Sequence, residues 1–194
     1  QMEVLSARQA IEQLDSVIIS DERELLTLKQ KICLATGWSY DGNPEFGELP
    51  ELDLSLIDQI DLAAGQAQAL ESSYALKISR RQYENSTDQA TKENLEKTIH
   101  DNQQKISSDV TTKYQALLTA KASYELALAE QAIETQNMEA ASRRLQAGTA
   151  SRIECQQQEY ALYEKDTAVK TAKLNLLSAW ETYQAAVNGL ASAS

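Results

Sequence analysis

Residues 144–154 read Arg144-Leu145-Gln146-Ala147-Gly148-Thr149-Ala150-Ser151-Arg152-Ile153-Glu154, and the fold turns on this stretch. Gly148 can take the left-handed backbone conformation that closes a helix. Ser151 and Glu154 stand at the S-x-x-E spacing of a capping box, which opens the next helix. With only 148–150 between a helix end and a helix start, the chain has to turn back on itself. A tight αα-hairpin is therefore expected, with its tip at 148–150.

Both arms carry the spacing of a coiled-coil seam. The arm before the tip is a long helix within 86–147, with Val110, Leu117, Tyr124, Met138 and Leu145 at heptad intervals. Gln131 fills a seam position where an apolar residue is expected, and Ala116, Ala120, Ala127 and Ala132 flank the row. The returning helix, 151–189, has its seam at Cys155, Leu162, Val169, Leu176 and Tyr183, with Ala172, Ala179 and Ala186 three residues on and Gly189 as its end. Such thin, alanine-flanked seams suit helix-on-helix packing, not a thick core.

Further out, residues 1–36 place Val4, Ile11, Ile18, Leu25 and Ile32 seven apart, with Ala7, Leu14, Leu28 and Ala35 three places on. Asp21 interrupts the second row, and Gly37 stops the helix. The linker 37–52 holds both prolines and three of the six glycines, and its Trp38, Tyr40 and Phe46 are expected to pin it against neighbouring helices. One helix is then predicted over 53–85, capped by Asp53 or Ser55 and presenting Ile57, Ile60, Ala64, Ala67, Tyr74 and Ile78. A break follows at 85–88, where Ser86 and Gln89 have capping-box spacing; a helix continuing through this point is the competing reading.

Sliding the returning helix back by 151 residues lays Cys155 on Val4, Leu162 on Ile11, Val169 on Ile18, Leu176 on Leu25 and Tyr183 on Ile32. Glu154 falls on Glu3, and Gly189 one place beyond Gly37. The two ends therefore look like copies of one unit, residues 1–36 being the second helix of a first hairpin. Because the chain opens inside a helical pattern, a trimmed fragment is expected whose first tip and targeting signal precede Gln1.

Composition narrows the function. Two prolines and six glycines in 194 residues are too few for a loop-rich sandwich, barrel or disulfide scaffold. The net charge of −11, without any clustered basic stripe, argues against nucleic acid. Cys33 and Cys155 form no CxxC or Cys/His pair, so neither metal nor cofactor is expected. His100, beside Asp101 on a polar helix, reads as a solvated side chain, and no phosphate loop or catalytic constellation accompanies it. The expectation is a non-enzyme. No run approaches the roughly 18 apolar residues of a membrane helix, so the chain as given is expected to be soluble. It should be all-α, a single elongated domain of antiparallel coiled-coil hairpins.

The stretch 144–154, with the helix running on to Ala185-Ala186-Val187-Asn188-Gly189, resembles the TolC-like outer-membrane efflux protein family. Members carry R-Y-x-x-G-x-x-S-x-x-D/E-hydrophobic-x-D at a hairpin tip, followed by an Ala-, Leu- and Tyr-rich helix ending near a glycine. The resemblance implies an α-barrel protomer contributing two hairpins to a homotrimer. Such a trimer is the exit duct of a tripartite efflux pump or type I secretion system in the cell envelope, in the periplasm or at the outer membrane. It further implies that Arg144, Ala147, Gly148, Thr149 and Ser151 meet an inner-membrane pump and its periplasmic adaptor, and that Glu3 and Glu154 are channel-entrance acids.

Departures from the family pattern are specific. Leu145 stands for the tip tyrosine, Gln157 for the second tip acid, and Gln156-Gln157-Gln158 for a more apolar run. Between Tyr83 and Thr91 the family inserts membrane β-strands, whereas RQYENSTDQAT here has no alternation of spanning-strand length. No membrane-spanning segment is expected in this chain. The alternative function is a structural or adaptor coiled-coil protein of the envelope, with no channel of its own.

Overall fold

The computed structural model describes residues 2–45 and 47–191, with the side chains of residues 2–7 outside the description. The protein is all-α, and no strand occurs among the described residues. The chain divides into two compact units, Gln1–Pro50 and Glu51–Ser194.

The first unit is helix α1, Met2–Thr36, and the loop after it. Gly37 stops the helix with φ of 75°, while the Trp38 N–H donates to the Cys33 carbonyl at 2.8 Å. The loop folds back on its own helix: Lys29 Nζ donates to Asn43 Oδ1 at 2.8 Å and Tyr40 Oη to Gln30 Oε1 at 2.9 Å. Cys33 is buried, with its Sγ 3.5 Å from the Gly42 carbonyl. Trp38 and Tyr40 do not wedge into a core as expected, being 60% and 57% exposed, and Phe46 lies outside the described residues. Polar tethers and the Cys33 thiol hold the loop instead.

The second unit holds α2 (Leu54–Asp58), α3 (Leu62–Ser72), α4 (Tyr74–Asn85), α5 (Gln89–Gln146), α6 (Arg152–Ala185) and a π-helical turn over Ala186–Leu190. The single helix predicted over 53–85 is thus three. Asp53 does cap the first, but Asp61 accepts from the N–H groups of Ala63 and Ala64, and Ser73 from that of Leu76, so each opens a new helix. Each restart also rotates the buried face. Ile57 stays inside as predicted, whereas Ala64, Ala67, Tyr74 and Ile78 are exposed and Gly65, Ala69, Leu76 and Ser79 take the inner positions.

The break before α5 stands where the sequence puts it, but its cap is Asp88, not the Ser86–Gln89 pair. The Asp88 carboxylate accepts from both the backbone N–H of Thr91, at 2.8 Å, and its hydroxyl, at 2.6 Å. At about 1.5 Å per residue α5 is on the order of 85 Å long. Its first half meets α3, α4, the end of α6 and the π turn around one apolar cluster that includes Ile57, Leu76, Ile106, Val110, Leu117 and Leu176. Close approach there is built in. A Cβ on Gly65 would stand 2.7 Å from Tyr183 Oη, and one on Gly189, where φ is 98°, 2.7 Å from the Ser72 carbonyl oxygen.

The seams of α5 and α6 pack as predicted along this half, with Val110, Leu117, Leu176 and Tyr183 all buried. The matching stripe on α1 does not: Ile11, Leu14, Ile18 and Leu25 are 58%, 62%, 54% and 52% exposed.

Candidate functional site: the tip of the hairpin

Beyond the apolar cluster, α5 and α6 continue as a two-helix hairpin whose contact turns polar. Ala127 is the last buried residue of α5. Past it, Lys165 Nζ donates to Glu130 Oε2 at 2.8 Å, Gln131 Nε2 to Asp166 Oδ1 at 2.6 Å, and Gln158 Nε2 to Glu134 Oε1. Gln131, the polar residue in the seam, is thus a rung between the arms. On one flank of the hairpin a shallow trough is lined mainly by short side chains, among them Ala116, Ala120, Ala168 and Ala172, with Glu164 and Asn175 as its longer members.

The turn is where the sequence places it. Gly148 has φ of 70°, donates its N–H to the Leu145 carbonyl at 3.0 Å, and is followed by a Thr149 N–H donating to the Arg144 carbonyl at 2.9 Å. These two bonds form a Schellman motif, which satisfies carbonyls that the end of α5 leaves without helical partners. The Thr149 hydroxyl adds a third, to the Arg144 carbonyl at 3.1 Å. On the outgoing side the capping box is complete. The Glu154 N–H donates to Ser151 Oγ at 3.1 Å, and the Ser151 N–H to Glu154 Oε2 at 2.7 Å.

Glu154 therefore has a structural duty at the tip. Its hydrogen bond from the Ser151 backbone, with help from the Ser151 hydroxyl and nearby Arg144, holds the carboxyl below its ordinary value, against a small opposing effect of desolvation. The group stays ionised at neutral pH. Arg143 pairs one turn back with Glu139 at 3.9 Å. Both side chains are well exposed, so that pair adds little stability.

Of the residues singled out from the sequence, Arg144, Ala147, Gly148, Thr149, Ser151 and Glu154 are brought together within this one turn. The backbone of Glu3 belongs to α1 in the other unit, and its side chain lies outside the described residues. The rungs formed by Glu130, Glu134, Gln158, Lys165 and Asp166 escape a reading by periodicity, since only the misfit of Gln131 signals them.

His100 is an exposed member of α5 whose Nε2 lies 3.1 Å from Gln104 Nε2. Among the described residues no group of three or more His, Cys, Asp or Glu side chains is placed to hold a metal ion, and no helix is long and apolar enough to cross a membrane. Compared with known protein families, with curated proteins and with solved structures, the chain matches none of them.

Proposed function

We propose that this chain is a subunit of a TolC-like envelope conduit, working in a tripartite efflux or type I secretion system. In this role it forms, or docks to, a trimeric α-helical duct whose tip at Ala147–Ser151 meets an inner-membrane pump and periplasmic adaptor. The observation that carries this reading is the capped reversal of Gly148, Ser151 and Glu154 at the far end of a 58-residue helix. A capped, charged turn held well away from the apolar cluster suits end-on docking. The small-residue trough on the flank suits side-by-side packing of hairpins, since short side chains let helix backbones approach closely. Glu154 fits a cation-preferring entrance because its carboxyl stays charged.

Mass measurement by light scattering tests the assembly. The expected result is a species three times the 21.5 kDa chain, at least at high concentration. In a Cys33→Ser background, a bifunctional thiol reagent on Cys155, three residues into α6, should join neighbouring copies. A monomer at every concentration, with Cys155 never joined between copies, would sink the conduit and leave a hairpin that only spaces other parts.

A further inference from the structure

We propose that the exposed face of α4 is a docking surface for a bilayer carrying anionic phospholipid headgroups. The inference rests on the conduit reading, in which the α4–α5 turn lies at the end of α5 remote from the partner-facing tip.

α4 buries Leu76 and Ser79 and turns Tyr74, Lys77, Ile78, Arg80, Arg81 and Glu84 outward. Tyr74 is 74% exposed and Ile78 42%. In a chain of net charge −11, these two turns carry three cations against one acid. Elsewhere in the unit Lys113, Lys121, Arg143 and Lys165 pair with carboxylates and Lys92 sits 5.6 Å over the Tyr83 ring, and no other five-residue stretch of the chain carries three cations. Lys77, Arg80 and Arg81 have no ion pair among the described residues. The patch thus carries a net positive charge, opposite in sign to the protein as a whole.

Its chemistry matches a bilayer surface. Tyr74 has an apolar ring with a polar tip, Ile78 lies one turn on, and the Lys and Arg stems flank both, so the apolar atoms can enter the headgroup region while the cationic ends meet phosphates. A protein partner is a poorer fit. Two apolar side chains on one convex helix face fall far short of the roughly 800 Å² per partner of a stable protein interface. A bilayer needs no matching shape, and several copies in an oligomer would engage it together.

Co-sedimentation of the whole chain with vesicles tests the assignment. Wild-type protein should pellet with vesicles of mixed phosphatidylglycerol and phosphatidylcholine, not with phosphatidylcholine alone, and binding should weaken as salt rises. The K77Q/R80Q/R81Q variant should bind about fivefold more weakly per charge removed, on the order of a hundredfold in all. Tyr74→Ser with Ile78→Ser should weaken binding yet preserve its dependence on phosphatidylglycerol. A control, R8Q/R23Q/K31Q, changes net charge equally on exposed positions of α1 and should bind as wild type.

Failure of the wild-type chain to pellet with anionic vesicles would overturn the proposal, as would equal losses in the α4 variant and the control. Capture by an acidic polypeptide such as polyglutamate, with no vesicle binding, would overturn it in favour of a protein partner. The assay needs no oligomer, so it fails or succeeds independently of the mass measurement.

Discussion

Gly148 shows how much one backbone angle decides. Nothing lies within 4 Å of the position a Cβ would take there, so Gly148→Val meets no neighbour and acts through the left-handed φ alone. A β-branched residue resists that region by about 1–2 kcal/mol. Thermal unfolding of the variant should show a loss of this size, and an unchanged transition would contradict the assigned turn. Glu154 makes the complementary case through charge. Its carboxyl is held low chiefly by the Ser151 N–H, that of Asp88 chiefly by the Thr91 hydroxyl, and that of Asp53 chiefly by the Ser55 hydroxyl. In each case the folded form binds fewer protons than the unfolded chain, so the stabilisation is fully present above the unfolded values. It is lost as pH falls below 4.5 for Glu154, and below 3.8 for Asp88 and Asp53, toward the lower folded values. Acid titration followed by circular dichroism should show helices loosening in that window. Glu154→Gln keeps the S-x-x-Q form of the box and should remove the tip's share of the pH dependence, read as amide exchange around Ser151 and Glu154.

At the level of elements, α5 carries a heptad seam that Gln131 interrupts, and owes its anchorage to a few fully buried side chains. Leu117→Ala removes one of these and should cost roughly 2–5 kcal/mol by chemical denaturation. An exposed alanine replacement such as Leu126→Ala should cost far less. The contrast also explains which elements could be read from the sequence. The hairpin was legible because turn, cap and seam all repeat the same message over many residues. The three short helices after Glu51 were not, because Ile57, Ile60, Ala64 and Ala67 keep a helical period across the very place where Asp61 interrupts it. A capping side chain acts locally and leaves no mark on periodicity. Polar rungs are harder still, since their partners lie 24 to 35 residues apart and neither half is unusual by itself. At the tip, six of the seven residues singled out stand together. The seventh, Glu3, was set beside Glu154 by the repeat alignment and the family resemblance, and its side chain lies outside the described residues.

For the second unit as a whole, stability is graded along the hairpin. The stretch of α5 from Ile106 to Leu117 is surrounded by other helices, whereas the stretch beyond Ala127 has one neighbour and a polar contact. Hydrogen exchange should therefore be slowest around Val110 and Leu117 and become progressively faster toward Leu145. Uniform protection from end to end would mean that something else covers the far stretch. The rungs there contribute little free energy individually, being partly exposed. What they supply is alignment. Two alanine-rich arms with seven-residue repeats are nearly self-similar, so shifting α6 by one heptad would keep most of the apolar matches. It would also leave Lys165 facing Ser123 or Asn137 in place of Glu130, and press the Asp166 carboxylate against Tyr124 or Met138 in place of Gln131. The polar stretch thus works as a vernier, allowing one stagger of the arms and thereby fixing how far the bend projects.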